Sequence, residues 1–368
     1  MKYLFILGRN VELSKAEVFS YFEREENKIL NYQIDKNGLL LDLERPIQEI
    51  VNFFGGVLYI GKVILEGEKN EIQKKLDKTV LYSGTSNKLN YAVWNFSENY
   101  EFVLNYLKKR FKYERLKTTF KNMTGKINLQ EGEDFDIPSS KLLDEEFFVF
   151  DYKNKILFGR IVEDYDYKNV EKRDMEKPIR RESLAISPRI SKILINLSKV
   201  KNGETLLDPF CGIGALLSEA LLQEIKVIGI DKNKNTISGA QENFKWFGFA
   251  KENYELLNED STEVKISSAM GIVTEPDFGD VLKKIPQKSE ALKTLKKFED
   301  LMIKVIKNFK SDISGRIVFT SPYIRIGKKR VKCDIEKILN ETGYQLLNEI
   351  PEFRENQVVG RMIYVLEK

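Results

Sequence analysis

Residues 204–231 read ETLLDPFCGIGALLSEALLQEIKVIGID, and the reading of this stretch decides the fold. ETLLDPF has the apolar run of a buried strand, CGIG is a glycine turn, ALLSEALLQE has helical spacing, and KVIGID is a second apolar run. A polar turn then leads to TISGAQENFKWFG, again helical, while SPRISKILINLSKV upstream opens a helix at Pro188. A β-α-β-α order of this kind predicts a mostly parallel sheet covered by helices. Asp231 ends the second strand 23 residues after Asp208. Taken singly, CGIG is a tight strand-to-helix turn and Asp231 a solvated strand end. Together they match a doubly wound sheet, where the ligand lies across the carboxyl ends of the strands, glycines let the backbone approach it, and a carboxylate binds ribose hydroxyls. The turn lacks the full GxGxxG pattern of a pyrophosphate site, so a nucleoside without phosphates fits better than a dinucleotide.

Working outward, 368 residues is more than one core usually serves and predicts two or three domains. A hydrophobic content of 42% with 32% charged residues fits a soluble globular chain. No apolar run approaches the ~18 residues of a membrane span. The start, MKYLFILGRNVELS, is too short in apolar length for a signal sequence and carries no small-residue cleavage site, which predicts a cytoplasmic protein. Only Cys211 and Cys333 are present and histidine is absent. That excludes a disulfide framework, a cysteine or histidine zinc site and any histidine base. Chemistry is left to carboxylates, backbone groups or a cofactor, with no metal required.

Three blocks follow from the pattern. In the first, KYLFIL reads as a strand, Ser14 and Glu17 as a capping box opening the helix SKAEVFSYFERE, and GVLYIGKVILEG as another strand. A second α+β block has the strand YAVWNF, the helix ENYEFVLNYLKKRF and the strands EFFVFDY and KILFGRIVE. DYDYKNVEKRDMEKPIRRES, 164–183, lacks apolar periodicity and carries a Lys-Pro step, so it reads as a linker into the third block. The predicted division is 1–70, 71–165, a linker over 166–183, and 184–368.

Net charge is only +4, but residues 105–128 hold eight Lys or Arg against the single acid Glu114, and 281–332 hold fifteen against four. Solvated helix faces account for this, and so does a phosphate-contacting surface, since clustered cations bind nucleic acid by releasing condensed counterions.

DPFCGIG followed by EA, then GID, then AxxN at Ala240 to Asn243 resembles motifs I and II of class I S-adenosylmethionine-dependent methyltransferases. More narrowly it is similar to the branch that methylates exocyclic amines of guanosine in RNA. FILGRNVELSKAEVFSYF and the strand beginning GGVLYIGK resemble the ferredoxin-like N-terminal domain of the tRNA guanosine-10 N2-methyltransferase family, and RDMEKPIRRESLAISPRISKILINLS resembles that family's junction into the catalytic domain. The resemblance implies three parts: a ferredoxin-like domain over 1–70, a THUMP-like domain over 71–165 that grips tRNA, and a Rossmann-like methyltransferase domain over 184–368. It implies that Asp208, Pro209, Phe210, Cys211, Gly212 and Gly214 line the methionine side of S-adenosylmethionine and that Asp231 holds its ribose. Asp260, in LNEDST, would take the adenine amino group, although NED also reads as a plain polar loop. Lys108, Lys109, Arg110 and Lys112 would supply part of the tRNA grip, and a small activating protein is a possible further partner.

Where that family carries Asp-Pro-Pro-Tyr after a fourth strand, this chain reads Glu275-Pro276-Asp277-Phe278. By the resemblance, Glu275 and a carbonyl at Pro276 would orient a guanine N2 amine toward the sulfonium methyl, and Phe278 would stack on the base. Glutamate reaches about 1.5 Å further than aspartate. The expected reaction is methylation of N2 of a tRNA guanosine, with a ribosomal RNA or other nucleic-acid amine as a second reading. A third is an RNA-binding protein whose methyltransferase site has drifted.

Overall fold

The structure is a computed structural model, and it describes residues 1–129, 134–138, 142–180, 186–276 and 284–368. In chain order its elements are β1 (Lys2–Leu7), α1 (Val11–Arg24), β2 (Ile29–Asp35), β3 (Gly38–Leu43), β4 (Val57–Gly67), α2 (Lys69–Asp77), β5 (Lys88–Phe96), α3 (Tyr100–Tyr113), β6 (Lys117–Phe120), β7 (Gly125–Asn128), β8 (Asp134–Ile137), β9 (Glu145–Tyr152) and β10 (Lys155–Asp164). Then come α4 (Tyr167–Glu176), α5 (Pro188–Ser198), β11 (Thr205–Asp208), α6 (Ala215–Leu221), β12 (Lys226–Ile230), α7 (Lys234–Phe247), β13 (Tyr254–Leu257) and β14 (Gly271–Thr274). The chain closes with α8 (Lys288–Phe309), β15 (Ile317–Ile326), β16 (Lys329–Val331), α9 (Ile335–Thr342), β17 (Gln345–Glu352) and β18 (Val359–Glu367). Among the described residues no helix is long and apolar enough to cross a membrane.

Two compact units result. The first holds residues 1–11, 27–52 and 56–165. Its strands form one sheet in the order β2-β3-β1-β4-β10-β9-β5-β6, so residues before and after position 70 share a single hydrogen-bonded surface through the β4–β10 pair. Aromatic side chains from its strands and α3 fill one face, with the Phe147 and Phe158 rings stacked at 5.2 Å and Tyr91 edge-on to Phe111 at 5.1 Å.

The second unit holds residues 12–26, 53–55 and 166–368. Its sheet runs β13-β12-β11-β14-β15-β18-β17, with β11 to β15 mutually parallel and β18 antiparallel to both of its neighbours. This is the mostly parallel α/β sheet expected from the sequence. Strand order reverses between β11 and β14, which opens a crevice at their carboxyl ends. Helix α5 starts as the sequence predicts: Pro188 takes its first position, and the Ser187 hydroxyl accepts a hydrogen bond from the Ile190 amide at 3.3 Å.

One local expectation is corrected, and the predicted linker carries a helix. The capping box at Ser14 and Glu17 is not a helix start, because α1 begins at Val11 and both residues lie inside it, 2% and 0% exposed. Glu17 instead accepts hydrogen bonds from the Gly55 amide at 2.7 Å and from Asn196 Nδ2 at 2.8 Å, so a buried carboxylate ties α1 to α5. The stretch read as a linker is helical over 167–176, with Asp166 accepting from the Asn169 amide at its start. Arg173 on that helix forks onto Glu219 of α6 at 2.8 and 3.0 Å. An anchor made by an ion pair leaves no apolar periodicity in the sequence, which is why pattern reading passed over it.

Candidate active site at the carboxyl ends of the parallel strands

The last residue of β11, Asp208, is 2% exposed, and its Oδ1 accepts from the Thr274 hydroxyl at 2.6 Å and the Phe210 amide at 3.1 Å. Burial pushes its carboxyl up to about 7, against those two bonds and with help from the charges of Asp231 and Glu275. Next comes the turn. Cys211 donates its amide to the Ile230 carbonyl at 2.9 Å, and the Gly214 amide closes back on the Cys211 carbonyl at 2.9 Å. Gly212 and Gly214 have φ of +53° and +75°, conformations that L side chains adopt only under strain. At Gly214 a Cβ would lie 2.7 Å from the Phe244 ring, whereas at Gly212 it would meet nothing within 4 Å. The backbone there faces open space. Cys211 is buried and its thiol is pushed well up, chiefly by burial, so it packs rather than attacks.

Asp231 follows β12 and reaches across to the turn. Its Oδ2 accepts from the Gly212 amide at 3.1 Å and its Oδ1 from the Asn233 amide at 2.8 Å. Each oxygen keeps a further lone pair for a hydroxyl donor. Asn258, which sequence reasoning did not single out, donates Nδ2 to the Asp231 carbonyl at 3.0 Å. Asn243, the end of the AxxN motif, is 1% exposed and donates to the carbonyls of Ile213 and Ile179, both at 3.1 Å, so it pins the glycine turn from behind. Pro209 accepts at its carbonyl from the Ser261 hydroxyl, and Phe210 packs against the core. Asp260 is exposed and bonds within its own turn, to the Thr262 hydroxyl at 2.7 Å and amide at 2.8 Å, and the hydroxyl bond holds its carboxyl below the usual range.

Glu275 and Pro276 follow β14, and Phe278 lies outside the described residues. The Glu275 carboxylate is taken by a residue the sequence did not single out. Arg361, on β18, approaches it with Nε at 3.1 and 3.0 Å from its two oxygens and with Nη2 at 2.7 Å from Oε1. Their side chains are 13% and 23% exposed, a fork-to-fork pair at the edge of water. No local signal could have found Arg361, since only the pairing β14-β15-β18 brings it near.

This end of the sheet thus carries three carboxylates beside an open glycine turn. With Glu275 paired to Arg361 and Asp208 raised to about 7, the charge left at this rim is chiefly that of Asp231, which suits a nucleoside that needs hydroxyl acceptors. The residues present therefore fit S-adenosylmethionine: Asp231 for ribose hydroxyls, the Gly212 backbone for close approach, and Asp208 for the positive methionine end. Among the described residues no group of three or more Cys, Asp or Glu could hold a metal ion.

The expected RNA residues lie on α3 of the first unit. Lys108, Lys109 and Lys112 are exposed there. Arg110 is not available as expected: its Nη2 donates to the Thr79 carbonyl at 2.8 Å, its Nη1 to the Leu76 carbonyl, and its Nε to Glu114 at 2.8 Å. Its guanidinium caps the end of α2.

Two family models match the chain. One, described as RMKL-like, methyltransferase domain, matches residues 178–323, and one described as DNA methylase matches 49–242, more than half of the chain. Among curated proteins, the chain is 27% identical over 185 residues to the tRNA (guanine(10)-N2)-dimethyltransferase of Methanothermobacter thermautotrophicus, covering 50% of this chain and 49% of that one. It is 23% identical over 303 residues to the Xenopus laevis tRNA (guanine(10)-N(2))-methyltransferase TRMT11, covering 74% and 60%. The matches span 34 to 60% of the length of these curated relatives. Among solved structures, TrmN from Thermus thermophilus shares the fold along the whole of both chains, at a TM-score of 0.53 and 12% identity.

Proposed function

The chain belongs to the methyltransferases, and we propose that it transfers a methyl group from S-adenosylmethionine to the exocyclic N2 of a tRNA guanosine, at position 10. The observation that carries this reading is the placement of Asp208, Asp231 and Glu275 at the carboxyl ends of β11, β12 and β14, beside the turn that opens at Gly212. The names of the curated relatives supply the substrate and the position.

The lone pair of guanine N2 is delocalised into the ring, so the amine is a poor nucleophile and must be oriented. The bound cofactor supplies an electrophilic methyl on a sulfonium. Glu275 accepts an N–H bond of the amine and holds the nitrogen on the line of attack, and the carbonyl of Pro276 takes the other N–H. Positioning of this kind contributes several kcal/mol, since reacting atoms held about 3 to 3.5 Å apart need no further ordering. With S-adenosylmethionine bound, transfer of its methyl would leave positive charge on the amine nitrogen; Glu275, bonded to one of that nitrogen's N–H groups, would stabilise the charge, and the proton would leave to water. Asp208 and Asp231 hold the cofactor. We further propose that residues 1–70 and 71–165 are ferredoxin-like and THUMP-like, with Lys108, Lys109 and Lys112 contributing phosphate contacts and Phe278 stacking on the base.

The family model described as a DNA methylase favours a second reading, methylation of a different exocyclic amine on a nucleic acid. Mass spectrometry of tRNA and DNA nucleosides from strains with and without the gene separates the two. Loss of N2-methylguanosine or N2,N2-dimethylguanosine from tRNA is the expected result. Unchanged tRNA with a lost methylated adenine or cytosine in DNA would replace the first reading by the second.

A further inference from the structure

The Glu275–Arg361 pair has a second half that the orientation of an amine does not use. The three contacts to the carboxylate come from Nε and Nη2, and among the described residues Nη1 is bonded to nothing. The guanidinium is planar, so with Nε and Nη2 fixed on the carboxylate the direction of Nη1 is fixed too. The carboxylate itself is not saturated, because two oxygens offer about four acceptor sites. Beyond the carboxyl end of β14 the pair therefore presents an acceptor and a donor.

A flipped base is read through its Watson–Crick edge. Guanine presents N2–H, N1–H and O6 along that edge: two donors, then an acceptor. Adenine presents an amine beside the bare N1 lone pair, and cytosine an amine beside the bare N3 lone pair. Against a carboxylate either lone pair is repelled, and neither base then places an acceptor where the guanidinium lies as guanine does. We infer that Arg361 is a specificity-determining residue, holding Glu275 in plane for the N–H groups of guanine and donating from Nη1 to O6. The inference rests on the guanosine reading above and adds to it the group that enforces guanine. It also gives the glutamate a purpose. The side chain is a carbon longer than aspartate and freer to rotate, and the arginine fork removes that freedom.

The test uses the full-length chain with a tRNA ligated to carry either guanosine or 6-thioguanosine at position 10. Sulfur keeps both N–H groups and weakens only the acceptor at position 6. Single-turnover methylation rates and S-adenosylmethionine affinity are measured for the wild type, Arg361→Met and Arg361→Lys. A hydrogen bond to a charged donor supports about a tenfold or greater effect, so the sulfur should slow the wild type by at least that factor. Arg361→Met should be slow on both tRNAs with a sulfur effect near onefold, and Arg361→Lys, which keeps the charge but loses the fork, should fall between them. Cofactor affinity should stay within about twofold throughout. An equal sulfur effect in the wild type and Arg361→Met would overturn the contact to O6. If Arg361→Met does not fold, an undiminished sulfur effect in Arg361→Lys overturns it instead. A wild type inactive on the guanosine tRNA would sink the underlying reading, an outcome distinct from activity without coupling.

Discussion

The two sides of the candidate site are built differently. On the cofactor side, Asp208, the glycine turn and Asp231 lie within 24 consecutive residues and are joined by short-range bonds such as Gly212 to Asp231. On the acceptor side, Glu275 is held by Arg361, 86 residues further along the chain and two strands away across the sheet. A site whose geometry is local tolerates little change in its own sequence. One supported from a distance can change its carboxylate, provided the support changes with it. Glu275 is of the second kind.

The sharpest way to break this comparison is at Glu275. Glu275→Ala should lower the single-turnover rate about a hundredfold or more, the cost of a misplaced reactant, with cofactor affinity nearly unchanged. Glu275→Gln should keep substantial activity, since its amide oxygen still accepts. Equal rates for all three proteins would mean that the acceptor side has drifted and no longer positions anything.

On the cofactor side Asp231→Ala should raise the S-adenosylmethionine dissociation constant more than tenfold, because a hydrogen bond to a charged acceptor is worth about 1.5 to 3 kcal/mol. Calorimetry reads this directly, and unchanged affinity would remove Asp231 from the site.

A subtler contrast lies in pH. Asp208, pushed up to about 7, is largely protonated in slightly acid solution. Its raised value stabilises the fold below the ordinary carboxylate range, and that contribution is lost as pH rises through about 7. A cationic ligand favours the ionised form. Affinity for S-adenosylmethionine relative to the uncharged-sulfur product S-adenosylhomocysteine should therefore rise severalfold between pH 6 and pH 8, a range of roughly one unit either side of that midpoint. Asp208→Asn, which keeps an oxygen to accept from Thr274 and Phe210, should flatten the dependence. A slope that survives in Asp208→Asn would assign it to another group.

The smallest effect is expected on α3. Replacing Lys108, Lys109 and Lys112 by Ala should reduce the salt dependence of tRNA binding by about 0.7 to 0.9 log units for each lost phosphate contact. Arg110→Ala should leave that slope alone and lower the melting temperature, since its bonds go to the end of α2. A triple variant that binds tRNA like the parent at every salt concentration would make α3 a solvated face.

The same division explains what was legible in the sequence. The order from β11 to α7, with its turn at Gly212 and Gly214, was readable because periodicity and positive-φ glycines are local signals. So were β1, β4, β5, α3, β9 and β10, whose apolar runs are long. Arg361 was not readable, because an arginine in a strand looks the same whether it meets solvent or a carboxylate two strands off. Glu17 was misread for a related reason: three residues after Ser14 it matches a capping box, and only Gly55 and Asn196 show that it is a buried acceptor. Arg110 counted toward a basic cluster by charge, yet its hydrogen bonds go to carbonyls. Charge is visible in sequence, but what a charge is bonded to is not.

The placement of α1 in the second unit bears on how the chain is made. Its partner Asn196 lies 179 residues downstream of Glu17. At a ribosomal pace of about 5 to 20 residues per second, the helix waits roughly ten to forty seconds after its own synthesis before that surface exists. Meanwhile the strands on either side of it, β1 and β2, can already pair through β3, so α1 waits without its partner surface. Loop closure over such a separation is slow and entropically costly. Docking of α1 therefore waits at least for α5, and a nascent chain stalled before α5 would carry the strands of the first sheet and a helix without its partner surface.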